Sequence, residues 1–262
     1  MSQAVMKQYP NEETIDYKWK NLYRLGGAAA LMAVLAFVVD IAISFGGADF
    51  NPAALGAIDW FSLFRENTLA GLRGLGFINV ISLSVSVALY FALYSAHRDE
   101  DPSYAALALI LFLLGATIYI SNNAAIPMLM LGDKYASATT EARRVLFAAA
   151  GEAVLARGAD FAPGSFTGFF FTEMAGLAFS LLMLRSRIFS KATAIMGILG
   201  FVLLSIFTIW TTFIPVFFEA AMILAMVGGL SSVAWYILVA RRLFWLGRRL
   251  EKGQAMRNTL FA

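Results

Sequence analysis

The sequence predicts an all-α fold: a polytopic membrane bundle of six transmembrane helices with one amphipathic helix on its surface. Three observations carry this. Of 262 residues, 60% are hydrophobic and only 14% are charged, against about 45–50% and about 25% in ordinary soluble domains. Six apolar runs each reach the length of about 20 residues needed to cross a hydrocarbon core of about 30 Å. None of them alternates apolar and polar residues with period two, as a membrane barrel strand does.

The runs, in order, are Leu25–Phe45, Leu69–Ala96, Tyr104–Leu131, Ser165–Leu184, Ala192–Phe213 and Val216–Leu246. Before the first lies a polar segment, 1–24, containing Glu12, Glu13, Asp16, Lys18 and Lys20. A signal peptide starts instead with a short basic stretch and then an apolar one, so the first run reads as an uncleaved anchor. The loop after it holds a short piece, Pro52–Phe64, whose Trp60, Phe61 and Phe64 suit a membrane interface. The second run carries Asn79, Ser82, Ser84 and Ser86, residues that let helices approach or hydrogen-bond. Ala70, Gly74, Gly197, Gly200, Gly228 and Gly229 read the same way.

The third run is interrupted by Asn122, Asn123 and Pro127. Proline deletes a backbone donor and frees the carbonyl four residues earlier, here that of Asn123, so a kink is expected at that point. The longest loop follows, from Gly132 to Gly164. Within it, about 140–157, Val145, Leu146, Ala149, Ala153 and Val154 fall at helical spacing among charged residues, which predicts an amphipathic helix on the surface or capping the bundle. The sixth run continues beyond the membrane, and its Arg241, Arg242, Arg248 and Arg249 recur at seven-residue spacing beside Phe244 and Trp245. That patch suits anionic lipid headgroups. Tyr9, Trp19, Tyr23, Trp235, Tyr236 and Trp245 read as interfacial belts. The organisation is therefore one six-helix domain, 25–246, between a cytoplasmic segment, 1–24, and a basic cytoplasmic tail, 247–262.

Basic residues in the flanks set the orientation. With the N-terminus on one side, fourteen of the 20 Lys and Arg residues share that side and six lie opposite. Both termini are therefore expected in the cytoplasm.

Much chemistry is excluded. There is no cysteine and a single histidine, His97, so no disulfide, thiolate nucleophile, iron–sulfur cluster or two-histidine haem can form within the chain. No metal and no cofactor are expected. Met128 and Met130, lacking His or Cys support, read as core residues rather than copper ligands. His97 adjoins Arg98, Asp99, Glu100 and Asp101 and reads as a solvated residue. A net charge of +3 gives no nucleic-acid footprint.

The informative residues are the polar ones within spans, which are costly when unpaired and face the bundle or a water pocket. They are Asp40, Arg73, Asn122, Asn123, Glu173 and Glu219. At about 1.5 Å of rise per residue, Glu173 falls near the midplane and the rest fall in the outer half. Asp40 and Arg73 share a depth, as an ion pair requires. One reading is an outward-facing polar pocket with Glu173 at its floor; the other is a structural polar network.

The stretch "GFFFTEMAGLAFSLLMLRSRIFSKATAIMGILG", following a long loop with an amphipathic helix, resembles the bacterial multi-pass membrane proteins grouped as domain of unknown function, family 4386. "LRGLGFINVISLSVSVALYFALY" is similar to the second span of that family. The resemblance extends over about residues 25–245. It implies a bacterial cytoplasmic-membrane protein of about six helices, and it carries no activity or site residue across.

With no reactive constellation and small loops, the sequence points first to a non-catalytic accessory or structural subunit of a membrane assembly. Its expected partners are membrane lipids and either further copies of itself or other membrane subunits, with no nucleic acid. The rival readings are a small transporter or channel using the polar pocket, and a lipid-active enzyme using Asp40 or Glu173 as acid or base.

Overall fold

In the computed structural model the described residues are 19–44, 55–160, 162–214 and 218–260. Ten α-helices make up this part of the chain: α1 Lys20–Ser44, α2 Ala57–Glu66, α3 Thr68–Gly74, α4 Phe77–His97, α5 Pro102–Asn122, α6 Ala125–Ala136, α7 Glu141–Gly158, α8 Pro163–Arg185, α9 Lys191–Phe213 and α10 Phe218–Leu260. No strand occurs among the described residues. Six helical segments are long and apolar enough to cross a membrane. The protein is thus a multi-pass membrane protein.

Local chemistry sets the helix ends. Pro102 and Pro163 open α5 and α8, where a missing N–H costs nothing and φ is already helical. Asn67, Thr140 and Ser190 cap α3, α7 and α9 by accepting from the backbone N–H three residues on. At α2 the cap comes from far along the chain: Glu152 of α7 accepts from the backbone N–H of Ala57 at 2.7 Å. This ties α7 onto the start of α2 and puts a carboxyl at a helix N-terminus, where the dipole favours it.

The six long helices form a closed ring in which each touches two neighbours. The order is α1, α4, α5, α8, α9, α10 and back to α1. The short helices α2, α3, α6 and α7 pack on one another as a cap over one end. Two hydrophobic clusters follow from this. The larger one fills the ring toward the end that bears His97 and Arg185, with Leu89, Leu93, Phe112, Phe179, Met183, Trp235 and Leu243 all nearly inaccessible. The smaller one holds the cap together through Trp60, Phe61, Phe64, Leu75, Met128 and Leu155. Close contact between α9 and its neighbours depends on Gly197, where a Cβ would lie 2.0 Å from Ser180 Oγ and 2.4 Å from the Trp235 ring.

Four expectations need correction. The aromatics of the Pro52–Phe64 piece do not lie at an interface: Trp60 and Phe61 are 1% exposed and form the centre of the cap. Trp235 belongs to the ring interior, edge-on to Phe201, rather than to an interfacial belt. His97 is buried, not solvated; Nδ1 bonds the Leu93 carbonyl at 2.9 Å and the ring stacks on Phe189. The third run is interrupted at the expected place, Asn123–Ala124, but as a full break between α5 and α6 rather than a kink; Pro127 falls in the first turn of α6, where its absent N–H would have had no helical partner.

Candidate functional site

Between the cap and the apolar fill, the ring encloses a cavity of about 410 Å³. Its wall combines Asp40 of α1, Asn79, Ser82 and Ser86 of α4, Asp160 from the turn before α8, Thr172 and Glu173 of α8, and Thr208 and Thr211 of α9. Phe166, Phe169, Phe201, Leu204 and Phe207 supply the apolar share. Among the described residues, carboxyl groups come from three elements, and neither Lys nor Arg lines the space.

The deepest carboxyl is Glu173. It sits halfway along α8, about 15 Å from the start of the helix at 1.5 Å per residue. The side chain is 8% exposed. Oε1 accepts from Thr208 Oγ1 of α9 at 2.7 Å, whereas Oε2 is buried without a partner among the described residues. Ser205 lies alongside, one turn back on α9, with its hydroxyl bonded to the Phe201 carbonyl at 2.7 Å. An unmatched buried acceptor costs about 1–3 kcal/mol, and more if it is ionised. Such an atom is kept only where something compensates for it.

A second carboxyl is held by neutral donors. Tyr119 Oη donates to Asp160 Oδ1 at 2.7 Å, and Asn79 Nδ2 lies 3.4 Å from both Asp160 Oδ2 and Tyr119 Oη. The backbone under this group is unusual. Gly76 has φ +71°, and a Cβ there would fall 2.3 Å from Tyr119 Oη and 2.7 Å from both Asp160 oxygens. Glycine is needed twice over, for the left-handed backbone and for the space.

The third carboxyl is at the wall nearest the cap. Arg73 Nε donates to Asp40 Oδ1 at 2.9 Å, joining the end of α3 to α1. Arg73 itself does not line the cavity.

Asn122 and Asn123 work elsewhere. Asn122 Nδ2 donates to the Gly164 carbonyl at 2.9 Å and Oδ1 accepts from Arg157 Nε at 3.0 Å. Asn123 Nδ2 donates to the Leu75 carbonyl at 2.8 Å, and Oδ1 accepts from the Ala125 N–H at 3.1 Å. Both amides thus stitch the α5–α6 break to the cap and are absent from the cavity wall. Glu219 lies at the start of α10, with its side chain outside the described residues. Of the six expected residues, the structure brings Asp40 and Glu173 to one cavity and puts Arg73 just behind Asp40.

Sequence reasoning missed Asp160, Tyr119 and Thr208. Asp160 is the one with a readable signal: an acidic residue three places before Pro163, at the foot of an apolar run. Asn79, Ser82 and Ser86 were visible, but as helix-packing residues rather than as cavity wall.

Below Glu173 the cavity ends on stacked aromatics. Tyr90 lies flat on Phe112 with centroids 3.8 Å apart, and Phe179, Trp235 and Phe201 continue the cluster. Tyr236 packs edge-on to Trp235. This layer separates the polar cavity from the far end of the ring.

At that far end, Arg241, Arg248 and Arg249 are exposed. Arg242 is half-buried. Its Nε donates to the Ile188 carbonyl and its guanidinium lies over the Trp245 ring at 4.1 Å, with Arg249 at 5.3 Å from the same ring.

Comparison with known proteins adds one finding. No curated protein and no solved structure matches the chain. The sequence profile described as "Domain of unknown function (DUF4386)" matches residues 63–240. That span takes in Arg73, Tyr119, Asp160, Glu173 and Thr208 and leaves out α1 with Asp40. Because the match extends over more than half of the sequence, this chain belongs to the DUF4386 family.

Proposed function

We propose that this protein is a non-catalytic accessory component of a membrane, and that its working part is the cavity inside the ring, which holds a small guest. The carrying observation is the chamber itself: about 410 Å³ of mixed polar and apolar wall with the Tyr90–Phe112 stack at its floor. That volume falls in the range of about 300–1,000 Å³ usual for small-molecule sites.

The basic asymmetry of the flanks supports a bacterial cytoplasmic membrane with both termini inside. Exposed Arg241 and Arg248 support contact with anionic headgroups, while Arg242 has a packing role.

Native mass spectrometry on protein released directly from its own membrane tests the reading. The wild type should retain a small non-protein mass, and Ala225→Phe, which fills the wall of the chamber, should lose it. A bare polypeptide mass from the wild type would count against guest holding. Ion or solute flux through reconstituted vesicles, abolished by Glu173→Gln, would replace it with transport.

A further inference from the structure

The chamber has a polarity that names the chemistry of its guest. Every charged group in its wall among the described residues is a carboxyl. Two of the three are already engaged. Asp40 bonds Arg73, and Asp160 is met by Tyr119 and Asn79. Glu173 differs. One oxygen is bonded to Thr208, and the other is buried, more than nine-tenths of the residue being covered, with no hydrogen bond on it among the described residues. Around and beneath it are aromatic side chains, Phe112, Phe169, Phe201 and Tyr90, whose ring faces attract cations.

A free metal ion fits poorly. It needs several oxygen ligands close together, and no group of three Asp, Glu or His side chains with metal-ligand spacing occurs among the described residues. An ammonium group on an apolar body fits better. Its N–H would satisfy the orphaned oxygen, its charge would balance the carboxylate, and its hydrocarbon part would lie along the phenylalanines.

We propose that the chamber binds a lipophilic organic ammonium, anchored by Glu173 Oε2. This deepens the guest-holding reading and rests on it. Two matched probes test it, 4-phenylbutylammonium and its neutral counterpart 4-phenylbutan-1-ol. Each is titrated calorimetrically into the protein in phosphatidylcholine nanodiscs, with empty nanodiscs subtracted. The ammonium should bind the wild type at least tenfold more tightly than the alcohol. Glu173→Gln should lose at least tenfold on the ammonium and no longer prefer it to the alcohol, and an unchanged helical circular-dichroism spectrum shows that the variant is folded. Equal binding of the two probes to the wild type, or a preference that survives Glu173→Gln, would overturn the cation assignment and leave guest holding intact. Failure of both probes to bind the wild type would also overturn the cation assignment, while the mass retained by the native protein decides guest holding separately. The wild-type comparison needs no variant.

Discussion

Tyr119 donates its phenol to Asp160 at 2.7 Å across 41 positions of sequence, and this bond joins the middle of the ring to the turn that opens α8. The same phenol sits over Gly76, so one residue links α5, the start of α4 and the foot of α8. Tyr119→Phe leaves Asp160 Oδ1 without its short bond. An orphaned buried acceptor costs about 1–3 kcal/mol, so the melting temperature in detergent should drop by several degrees. Asn79→Ala, which removes only contacts of 3.4 Å, should cost less. Equal melting temperatures for wild type and Tyr119→Phe would refute the role given to this bond.

Gly76→Ala should be worse than either. It places a Cβ 2.3 Å from Tyr119 Oη and asks alanine to hold φ +71°, a backbone penalty of about 1–2 kcal/mol before any clash is counted. Poor yield of folded protein, or a melting temperature below that of Tyr119→Phe, is expected in a size-exclusion and thermal-unfolding series.

Thr208 and Glu173 should respond in opposite senses. Thr208→Val strips Glu173 of its 2.7 Å donor and leaves two unmatched carboxyl oxygens, a loss of about 1–3 kcal/mol. Glu173→Gln keeps an acceptor for Thr208 and removes a charge that is expensive at this depth, so stability should hold or rise. Chemical unfolding of the pair decides; a glutamine variant less stable than the valine variant would contradict this account.

The Arg73–Asp40 pair should couple weakly. The side chains are 22% and 43% exposed, and partly solvated pairs are worth about 0–1 kcal/mol. A double-mutant cycle with Arg73→Gln and Asp40→Asn should give a coupling in that range, and the coupling should shrink in high salt. A coupling of several kcal/mol would mean that the pair is far drier than its exposure indicates.

Asn123→Ala should loosen the cap selectively. It removes the bond to the Leu75 carbonyl and the one from the Ala125 N–H. Limited proteolysis should cut faster between α5 and α8 while α9 and α10 stay protected. Uniform acceleration across the chain would argue for global destabilisation instead.

The six crossings were readable because a run of about 20 apolar residues has few other destinations. The match in depth of Asp40 and Arg73 was readable from their places in consecutive apolar runs, although the second run starts late: Arg73 stands on α3 of the cap, and the crossing α4 begins only at Phe77. Other features were hidden by features of the fold. Asn122 and Asn123 look like pocket residues in an apolar run, but a broken helix needs side chains to take up freed backbone groups, and these two do so. Trp60, Phe61 and Phe64 have the composition of an interfacial piece, yet a lid of four short helices needs a core of its own, and they supply it. His97 precedes four charged residues, but its position on α4 turns it inward against Phe189. Thr208 gives no signal in an apolar run, because a single hydroxyl there satisfies itself on its own helix as readily as on a neighbour.

The aromatic layer under Glu173 has a kinetic consequence. A chamber floored by that layer offers its contents no straight way on to the far end of the ring, so whatever is held cannot leave in that direction. Dwell time is then governed by how firmly the innermost carboxyl and its neighbours grasp the occupant, and such a vessel can store or sense without pumping.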